Sequence, residues 1–327
     1  MSKRKLSKQQ QKRISERHAD IVNNLSEAEL ANAIAAGQLS QELIGTVIAN
    51  YGKFADVEHS DQQIYRCGVR QNLAAFAVGD EVVWRKAPDD TGVIVAIHPR
   101  HGLVWRQQGK QKKLLAANID QFNIVCAPIP KTNLLLLDSY LVAAHYFHLN
   151  SIILLHKCDL LNADAKLATQ LDYYQVMNVP MLQTSIYDIG SIKQLCLQLQ
   201  GKNSIFVGQS GVGKSSLLNQ LVSGANARIA DSTHLHGKHT TSTANLYHLD
   251  QTGCVIDSPG MRDFQLDFLT RTEIAAGFVD FKAYLEKCQF RNCSHQHEPR
   301  CGVIDAVKHN HIAHWRYENY LALIKEK

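Results

Sequence analysis

The chain has 327 residues, of which 45% are hydrophobic and 20% charged, and its formal net charge is +5. This length and composition are typical of a soluble globular protein with two or three domains, and they exclude a disordered or fibrous chain. No apolar run approaches the roughly 18–20 residues that a membrane helix needs, and the charged N-terminus lacks the apolar stretch of a signal peptide. We expect a cytoplasmic protein that does not bind a membrane.

The first segment, residues 1–39, is a basic extension. Residues 1–18 carry seven lysine or arginine residues and a single acid, Glu16. This charge favours a polyanionic partner such as RNA. A solvated tail that only aids solubility explains the charge equally well, so both interpretations stay open.

Residues 40–118 carry short β-rich runs separated by turn residues such as Gly52 and Pro99. So many short strands in a small segment predict a closed barrel of the OB type, and such barrels often bind RNA on one face. The arginines on or beside these runs are possible contacts: Arg66, Arg70, Arg85, Arg100 and Arg106. Trp84 and Trp105 are better explained as barrel core.

Residues 119–266 alternate apolar runs with amphipathic helical patterns. The apolar runs are Asn123–Cys126, Ile152–Leu155, Met181–Thr184, Ile205–Val207 and Cys254–Ile256. This alternation predicts a doubly wound α/β domain with a buried parallel sheet, whose ligands bind at the carboxyl ends of the strands. Residues 267–327 predict a helical domain that is interrupted by a cluster of cysteine and histidine residues.

The strongest motif is a complete G-x-x-x-x-G-K-S, which follows one apolar run and opens a helical pattern, as a phosphate-binding P-loop requires. Its backbone N–H groups and the helix N-terminus bind phosphates, Lys214 reaches the β- and γ-phosphates, and the Ser215 hydroxyl binds Mg²⁺. The residues expected to bind nucleotide here are Gly208, Gln209, Ser210, Gly211, Val212, Gly213, Lys214, Ser215 and Ser216.

A second motif, Asp257-Ser-Pro-Gly260, follows the last apolar run. It resembles the D-x-x-G switch of GTPases, in which the aspartate holds Mg²⁺ through water and the glycine N–H senses the γ-phosphate. Met261 stands where Ras-like enzymes carry a glutamine that positions water. The group that orients the attacking water must therefore come from elsewhere.

Candidates for that group lie between the two motifs, in Gly237-Lys-His239-Thr240-Thr241. Either Thr240 or Thr241 is expected to close over Mg²⁺ and the γ-phosphate, and the sequence does not choose between them. His239 is a candidate for orienting the water; otherwise it is an exposed switch residue.

The guanine-selecting motif is His156-Lys157-Cys158-Asp159, which resembles N-K-x-D. An aspartate at its last position accepts hydrogen bonds from guanine N1 and the 2-amino group, which adenine does not offer. His156 replaces the usual asparagine, and its imidazole N–H is a possible donor to guanine N7. Thr184-Ser185 follows the next strand, where GTPases place a short loop that contacts the base.

The order of these motifs is unusual, because the guanine motif precedes the P-loop, whereas ordinary GTPases have the reverse order. A circular permutation explains this order, since the termini of a domain are often close in space. We therefore predict a circularly permuted P-loop GTPase domain.

A metal site is predicted by Cys288, Cys293, His295 and Cys301, which lie close together in sequence. Three thiolates and one imidazole suit a single structural Zn²⁺ with tetrahedral geometry. His297 is an alternative ligand to His295. The other five cysteines are scattered through apolar segments, which indicates buried thiols in a reducing compartment.

Together, the barrel, the permuted motifs and the Cys₃His cluster resemble the bacterial ribosome small-subunit-dependent GTPase A family. The resemblance covers about residues 40–310 and includes Gly79–Trp84 and Ala117–Asp120 as well as the motifs above. It implies a Mg²⁺-dependent hydrolysis of GTP to GDP that is stimulated by the 30S subunit and serves late maturation of that subunit. It also implies 16S rRNA as a partner, and we expect a monomer.

Two other functions fit parts of the pattern. A P-loop kinase or ATPase explains the phosphate loop but not Asp159 or the D-x-x-G motif. An RNA-binding scaffold with a regulatory nucleotide site explains the basic extension, but the intact Lys214 and Ser215 argue against a vestigial site. Hydrolysis of GTP is therefore the function that the sequence predicts.

Asp159→Asn tests the guanine assignment. The variant amide donates where the carboxylate accepted, so we expect a loss of GTP affinity and a gain of affinity for xanthosine triphosphate, whose C2 oxygen accepts that donor. Equilibrium titration with fluorescent analogues of both nucleotides measures the switch. Unchanged GTP binding by the variant would show that this motif does not read the base.

Overall fold

The computed structural model describes residues 39–70, 73–163, 165–222, 244–249, 253–258, 261 and 265–325. The basic extension up to residue 38 and the switch candidates His239, Thr240 and Thr241 lie outside these residues. The chain divides into two compact units. The first holds residues 39–103, 114–118 and 244–246 of the described chain, and the second holds the rest. The four domain boundaries inferred from the sequence stay predictions.

Five strands build the first unit: β1 (Leu43–Asn50), β2 (Phe54–His59), β3 (Ile64–Val69), β4 (Glu81–Lys86) and β5 (Thr91–Ile97). β1 pairs with both β2 and β4, β3 pairs with β2 and β5, and β4 pairs with β5. The ladder therefore closes on itself, and only the β3–β5 pair is parallel. This closure confirms the OB-type barrel.

Trp84 is the centre of the barrel core, as expected. Its side chain is fully buried, with the Tyr65 ring 4.8 Å away. Gly92 leaves the space that the indole occupies, because a Cβ atom there would lie 2.7 Å from the Trp84 ring and 2.7 Å from the Cys67 sulfur. The barrel is thus packed solid around one large side chain.

Three of the five arginines proposed for RNA binding hold carboxylates of the barrel instead. Arg100 forms hydrogen bonds of 2.6 and 2.7 Å with Asp80, which is fully buried. Arg66 pairs with Asp56, and Arg85 pairs with Glu42. These three arginine side chains form salt bridges within the barrel, so the presence of arginine at these positions does not by itself indicate an RNA-binding surface.

Two strands, β6 (Leu103–Gln108) and β7 (Gln111–Ala117), form a separate two-stranded sheet. Trp105 of β6 packs in the second unit, with its ring 4.4 Å from Phe268 and 5.9 Å from Phe147. The expectation that Trp105 belongs to the barrel core is therefore wrong. The tryptophan is buried, as its size suggests, but against aromatic rings that lie far from it in sequence.

Parallel strands form the sheet of the second unit: β8 (Gln121–Cys126), β9 (Asn150–His156), β10 (Met181–Thr184), β11 (Asn203–Val207) and β13 (Cys254–Asp257). The strand before β13 in the chain, β12 (Asn245–His248), begins in the first unit, where it pairs antiparallel with β1. The spatial order of the parallel strands is β10-β9-β8-β11-β13, and every pair is parallel. The chain runs outward from β8 to β10, then returns to place β11 on the other side of β8. This reversal confirms the doubly wound fold and puts its switch point between β8 and β11.

Helices connect these strands: α1 (Leu134–Tyr146), a 3₁₀ helix (Cys158–Ala163), α2 (Ala165–Val176), α3 (Ile189–Leu199) and α4 (Lys214–Leu221). Leucines of α3 and α4 pack on the apolar side chains of β8, β9 and β11 and form one core. This burial of a helix face against a buried sheet is what the alternating apolar pattern predicts.

The last segment is helical, as predicted: α5 (Arg271–Ala276), a 3₁₀ helix (Val279–Phe281), α6 (Lys282–Leu285), α7 (Gly302–Lys308) and α8 (His314–Ile324). A capping box formed by Thr270 and Glu273 fixes the start of α5. Among the described residues, no helix has the length and apolar character that a membrane crossing needs.

A buried ionic network attaches α8 to α1. Arg316 of α8 is 2% exposed and lies between Asp138 of α1, to which it is hydrogen-bonded, and Asp280, at 2.9 Å. Asp138 also accepts hydrogen bonds from Tyr174 and from Asn319. A fully buried carboxylate is tolerated here because three groups, Arg316, Tyr174 and Asn319, share its charge and its lone pairs.

Replacing Arg316 with methionine tests this network. The variant leaves Asp138 buried without its cation, so we expect a loss of about 3–5 kcal/mol in the free energy of unfolding. Arg271→Met, at an exposed position of α5, is the matched control and should change stability by less than about 0.5 kcal/mol. Urea unfolding followed by tryptophan fluorescence measures both. An equally small change in the free energy of unfolding of the two variants would mean that Arg316 is not needed to stabilise the buried Asp138 carboxylate.

Candidate functional site

The predicted nucleotide motifs meet at one edge of the parallel sheet. The P-loop follows β11, His156 ends β9, Thr184 ends β10 and Asp257 ends β13. The strand register aligns these ends, since His156 pairs with Thr184 and Val207 pairs with Ile124. The site therefore lies at the carboxyl ends of the strands and at the switch point, where open α/β sheets bind ligands.

Two glycines of the P-loop lie so close to neighbouring strands that no other residue fits. Gly208 has φ 141°, and a Cβ atom there would lie 2.2 Å from the Val125 carbonyl oxygen of β8. Gly213 has φ 102°, and a Cβ atom there would lie 2.4 Å from the His156 ring. The spacing of these glycines thus lets the loop wrap tightly above β8 and β9.

The loop opens onto the N-terminus of α4, which is arranged to bind an anion. Gly213 is the N-cap and offers no side-chain hydrogen bond to the first N–H groups of the helix. Lys214 folds over the loop and donates to the carbonyl oxygens of Gly208 and Gln209, both at 2.8 Å. The N–H groups that point out of the start of a helix and a nearby ammonium group together favour phosphate.

Lys157 braces the P-loop from the guanine motif. Its backbone has φ 55°, and its ammonium group donates to the carbonyl oxygens of Ile129, at 2.8 Å, and Gly211, at 2.9 Å. One side chain therefore ties together the loops after β8, β9 and β11. The sequence motif includes this lysine, but it does not predict that the ammonium group donates to these two carbonyl oxygens.

His156 is buried under the same loop. Its Nδ1 atom lies 3.1 Å from the Thr184 hydroxyl, and its ring contacts Gly213. Burial lowers the pKa of this imidazole, and the adjacent Lys157 charge lowers it further, so the ring is neutral at physiological pH. In these contacts His156 holds β9, β10 and the P-loop together; its contact with guanine N7 stays a prediction.

Asp159 is exposed at the edge of the site and is oriented by Ser185, whose hydroxyl donates to its carboxylate at 2.7 Å. Ser185 is itself buried and fixed, because its N–H donates to the Ser191 hydroxyl at 3.1 Å. The residue between Lys157 and Asp159, Cys158, is half-buried. The two short motifs predicted to read the base are therefore in direct contact.

Near the second motif, Asp257 ends β13 half-buried and Ser258 is buried. Met261 is only 2% exposed, and its carbonyl oxygen accepts a hydrogen bond of 2.9 Å from the Tyr140 hydroxyl of α1. A buried thioether cannot orient water, which agrees with the expectation that this group lies elsewhere. Gly260 lies outside the described residues.

The Cys₃His cluster converges on one point. The sulfur and nitrogen ligand atoms of Cys288, Cys293, His295 and Cys301 all lie within 4.8 Å of one another. The His295 Nδ1 atom is 3.4 Å from the Cys301 sulfur and 3.5 Å from the Cys288 sulfur. Tetrahedral bonds of about 2.3 Å to sulfur and 2.0–2.1 Å to nitrogen give ligand separations of about 3.5–3.8 Å, so these two pairs lie close to the separation that a zinc site needs.

Surrounding residues hold the metal-binding group in shape. The His295 carbonyl oxygen accepts from Tyr317 at 2.7 Å, and Glu298 accepts from the backbone and side chain of Ser294 at 2.7 and 2.6 Å. Cys301 is the N-cap of α7. His297, the alternative ligand, is exposed and is not part of the group.

Comparison with known proteins decides the family. The family model described as RsgA GTPase matches residues 97–267. The small ribosomal subunit biogenesis GTPase RsgA of Ectopseudomonas mendocina is 38% identical, over 98% of this chain and 96% of that protein. The chain belongs to the RsgA GTPase family. Among solved structures, YjeQ from Thermotoga maritima matches this RsgA family member with a TM-score of 0.68 and 30% identity, over 87% of this chain and 98% of that chain.

A second solved structure supports the permuted order of motifs in this RsgA family member. YloQ, described as a circularly permuted GTPase, has a TM-score of 0.67 and 26% identity, over 88% of this chain and 95% of that chain. The predicted fold, with its barrel, permuted GTPase domain and C-terminal metal-binding helices, is therefore confirmed.

Cys293→Ser tests the metal site. Losing one of four ligands should remove the bound metal and raise amide hydrogen exchange in residues 288–301, because that segment depends on the metal for its shape. Wild-type protein should contain about one zinc per chain by elemental analysis. Cys196→Ser, at a half-buried thiol of α3, is the control and should keep its metal. Full protection of the segment in metal-free protein would contradict a structural site.

Proposed function

We propose that this chain binds GTP at the carboxyl edge of its parallel sheet, hydrolyses it to GDP and phosphate, and assists late maturation of the 30S ribosomal subunit. The observation that supports this proposal best is that the phosphate loop and the residues proposed to read the base lie at the same edge of the parallel sheet. His156 and Lys157 touch the loop, while Asp159 faces out beside Ser185. A P-loop kinase or ATPase does not need this pairing of motifs.

Each residue has a role in that reaction. Lys214 and the N–H groups of the P-loop bind the phosphates, and Asp159 pairs with guanine. Ser215 and Asp257 are the residues that hold Mg²⁺, which neutralises the charge that develops on the phosphates. Gly260 and one of Thr240 and Thr241 then sense the γ-phosphate.

The Cys₃His group is proposed to hold one Zn²⁺. All four positions of a tetrahedral ion are filled by protein side chains, so the ion stabilises the fold of the C-terminal helices and takes no part in hydrolysis. Support comes from the ligand separations and from the hydrogen bonds that orient His295 and Glu298.

The proposed partner is the small ribosomal subunit, including its 16S rRNA. The relative quoted above is named for small ribosomal subunit biogenesis, and the net charge of +5 suits a polyanion. We propose that the protein acts in the cytoplasm as a monomer. Because Met261 is buried and orients no water, hydrolysis by the free protein is slow, and the subunit accelerates it by positioning His239 against the attacking water.

An RNA-binding scaffold with a regulatory nucleotide site is the second candidate. It shares the binding steps and differs only in lacking turnover. The buried Met261 is the observation that favours it. The hydrogen bonds that the Lys214 ammonium group donates within the P-loop favour the GTPase, because they hold this group where the phosphates bind.

Single-turnover hydrolysis of γ-labelled GTP with purified 30S subunits separates the two functions. Wild-type protein should release phosphate faster with subunits than without. Lys214→Ala should lose about 100-fold or more of the stimulated rate, because a group that stabilises transition-state charge is removed. Lys193→Ala, at an exposed position of α3, is the matched control and should keep the full rate.

His239→Ala should lose the stimulated rate but keep GTP affinity, if His239 orients the attacking water. Full stimulated turnover by this variant would remove His239 from the mechanism. GTP binding by wild-type protein with no phosphate release, even in the presence of subunits, would favour the scaffold.

A further inference from the structure

A row of parallel rings lies on the surface of the C-terminal helices; we call Tyr284, His311 and His309 the ring column. The centroids of Tyr284 and His311 are 6.1 Å apart with planes 15° from parallel, and those of His311 and His309 are 6.2 Å apart with planes 29° from parallel. The Lys287 ammonium group lies 4.9 Å from the centroid of the Tyr284 ring. Three flat side chains thus repeat at nearly equal spacing beside a cation.

The ring column is exposed rather than packed. His309 keeps 64% of its side-chain surface, His311 is exposed and Tyr284 is half-buried. None of the three is a ligand of the Cys₃His group. Rings held mainly for stability are normally buried, because exposed rings gain little from the hydrophobic effect.

The backbone that carries the rings is well held. The N–H groups of His311 and Ile312 both donate to the Ala306 carbonyl oxygen, at 2.8 and 3.3 Å, and Ile312 is fully buried. The His309 Nδ1 atom lies 2.9 Å from the Asp305 carbonyl oxygen, which fixes the orientation of that ring. The His309 ring and the backbone that carries His311 are therefore held in place before any partner arrives.

We propose that the ring column is a stacking platform for unpaired bases of RNA. Every nucleobase has a flat π-face, and single-stranded RNA repeats such faces along a negatively charged backbone. The rings supply the stacking surface, while Lys287 and the exposed Lys308 beside His309 supply positive charge. The platform rests on the proposed function, since the RNA it meets there is the rRNA of the small subunit.

A protein partner fits these features less well. Protein surfaces seldom offer several flat groups in succession, whereas consecutive bases do. The charges nearest the rings are a mixture, with Asp305 3.5 Å from His309 and Lys287 beside Tyr284. Stacking, rather than net charge, is therefore the property that defines the platform.

Fluorescence anisotropy with a labelled oligoadenylate of about ten nucleotides tests the platform on the full, metal-loaded chain. His311→Ala should weaken binding about fivefold or more, the lower end of the effect of removing one stacking ring. His311→Phe keeps a flat ring without the imidazole nitrogens and should retain binding. His311→Lys supplies a cation without a ring and should bind oligoadenylate as weakly as His311→Ala does. His314→Ala, at an exposed histidine outside the column, is the control and should bind as wild type.

The salt dependence of binding separates stacking from charge. Loss of the His311 ring should leave the slope of affinity against salt unchanged, whereas Lys287→Ala should reduce that slope by about one. Metal content and thermal melting of each variant confirm that the C-terminal helices stay folded. His309→Ala, at the other exposed histidine of the column, repeats the test if His311→Ala does not fold.

The outcomes distinguish the two proposals. Equal oligoadenylate affinity of wild type and His311→Ala, with 30S binding and stimulated hydrolysis intact, would overturn the platform alone. Equal losses in His311→Phe and His311→Ala would also overturn it, because stacking would not be the cause. A variant that loses 30S affinity but keeps oligoadenylate affinity would assign the column to a protein contact. Wild-type protein that binds oligoadenylate but neither binds nor responds to 30S subunits would refute the proposed function and leave the platform standing.

Discussion

The close approach of the P-loop to β8 and β9 is the constraint on which the site depends. Gly208 touches the Val125 carbonyl group and Gly213 touches the His156 ring, with no room for a side chain at either glycine. This approach requires β8 to lie between β9 and β11, with both pairs parallel and in register. The position of the P-loop beside the guanine motif therefore depends on this strand order. The permuted chain satisfies the same requirement as an unpermuted one, because the register of strand ends does not depend on the order in which the chain visits them.

Helix α1 connects this site with the rest of the second unit. At its N-terminus the Asn133 N–H donates to Gln209 of the P-loop at 3.3 Å. In its middle Tyr140 holds the Met261 carbonyl group, and Asp138 receives Arg316 from α8. One rigid helix therefore touches the phosphate loop, the segment after the D-x-x-G motif and the helix that packs beside the metal-binding group. These contacts form a continuous physical route between the nucleotide and the C-terminal helices.

The features that the sequence predicts are those fixed by local patterns. Alternating apolar runs predict the parallel strands, and the spacing of glycines and cysteines predicts the P-loop and the metal group. The features that it does not predict depend on partners distant in the chain. The Lys157 ammonium group meets Ile129 and Gly211, Trp105 packs on Phe268 instead of in the barrel, and Arg316 meets Asp138. Hydrophobic periodicity cannot predict such pairs, because their contacts form only when the strands and helices pack in the folded protein. The sequence favoured His295 as the metal ligand and left His297 as an alternative, which the folded loop places outside the group.

The order of the strands also affects how the protein is made. Among the parallel strands, β8, β9 and β10 leave the ribosome first, and β8 then presents an unpaired edge on the side where β11 belongs. At a synthesis rate of about 5–20 residues per second, that edge waits several seconds for its partner. Exposed edges of apolar strands pair readily with other chains. The order of the strands therefore leaves the edge of β8 open to pairing with other chains until β11 has been made.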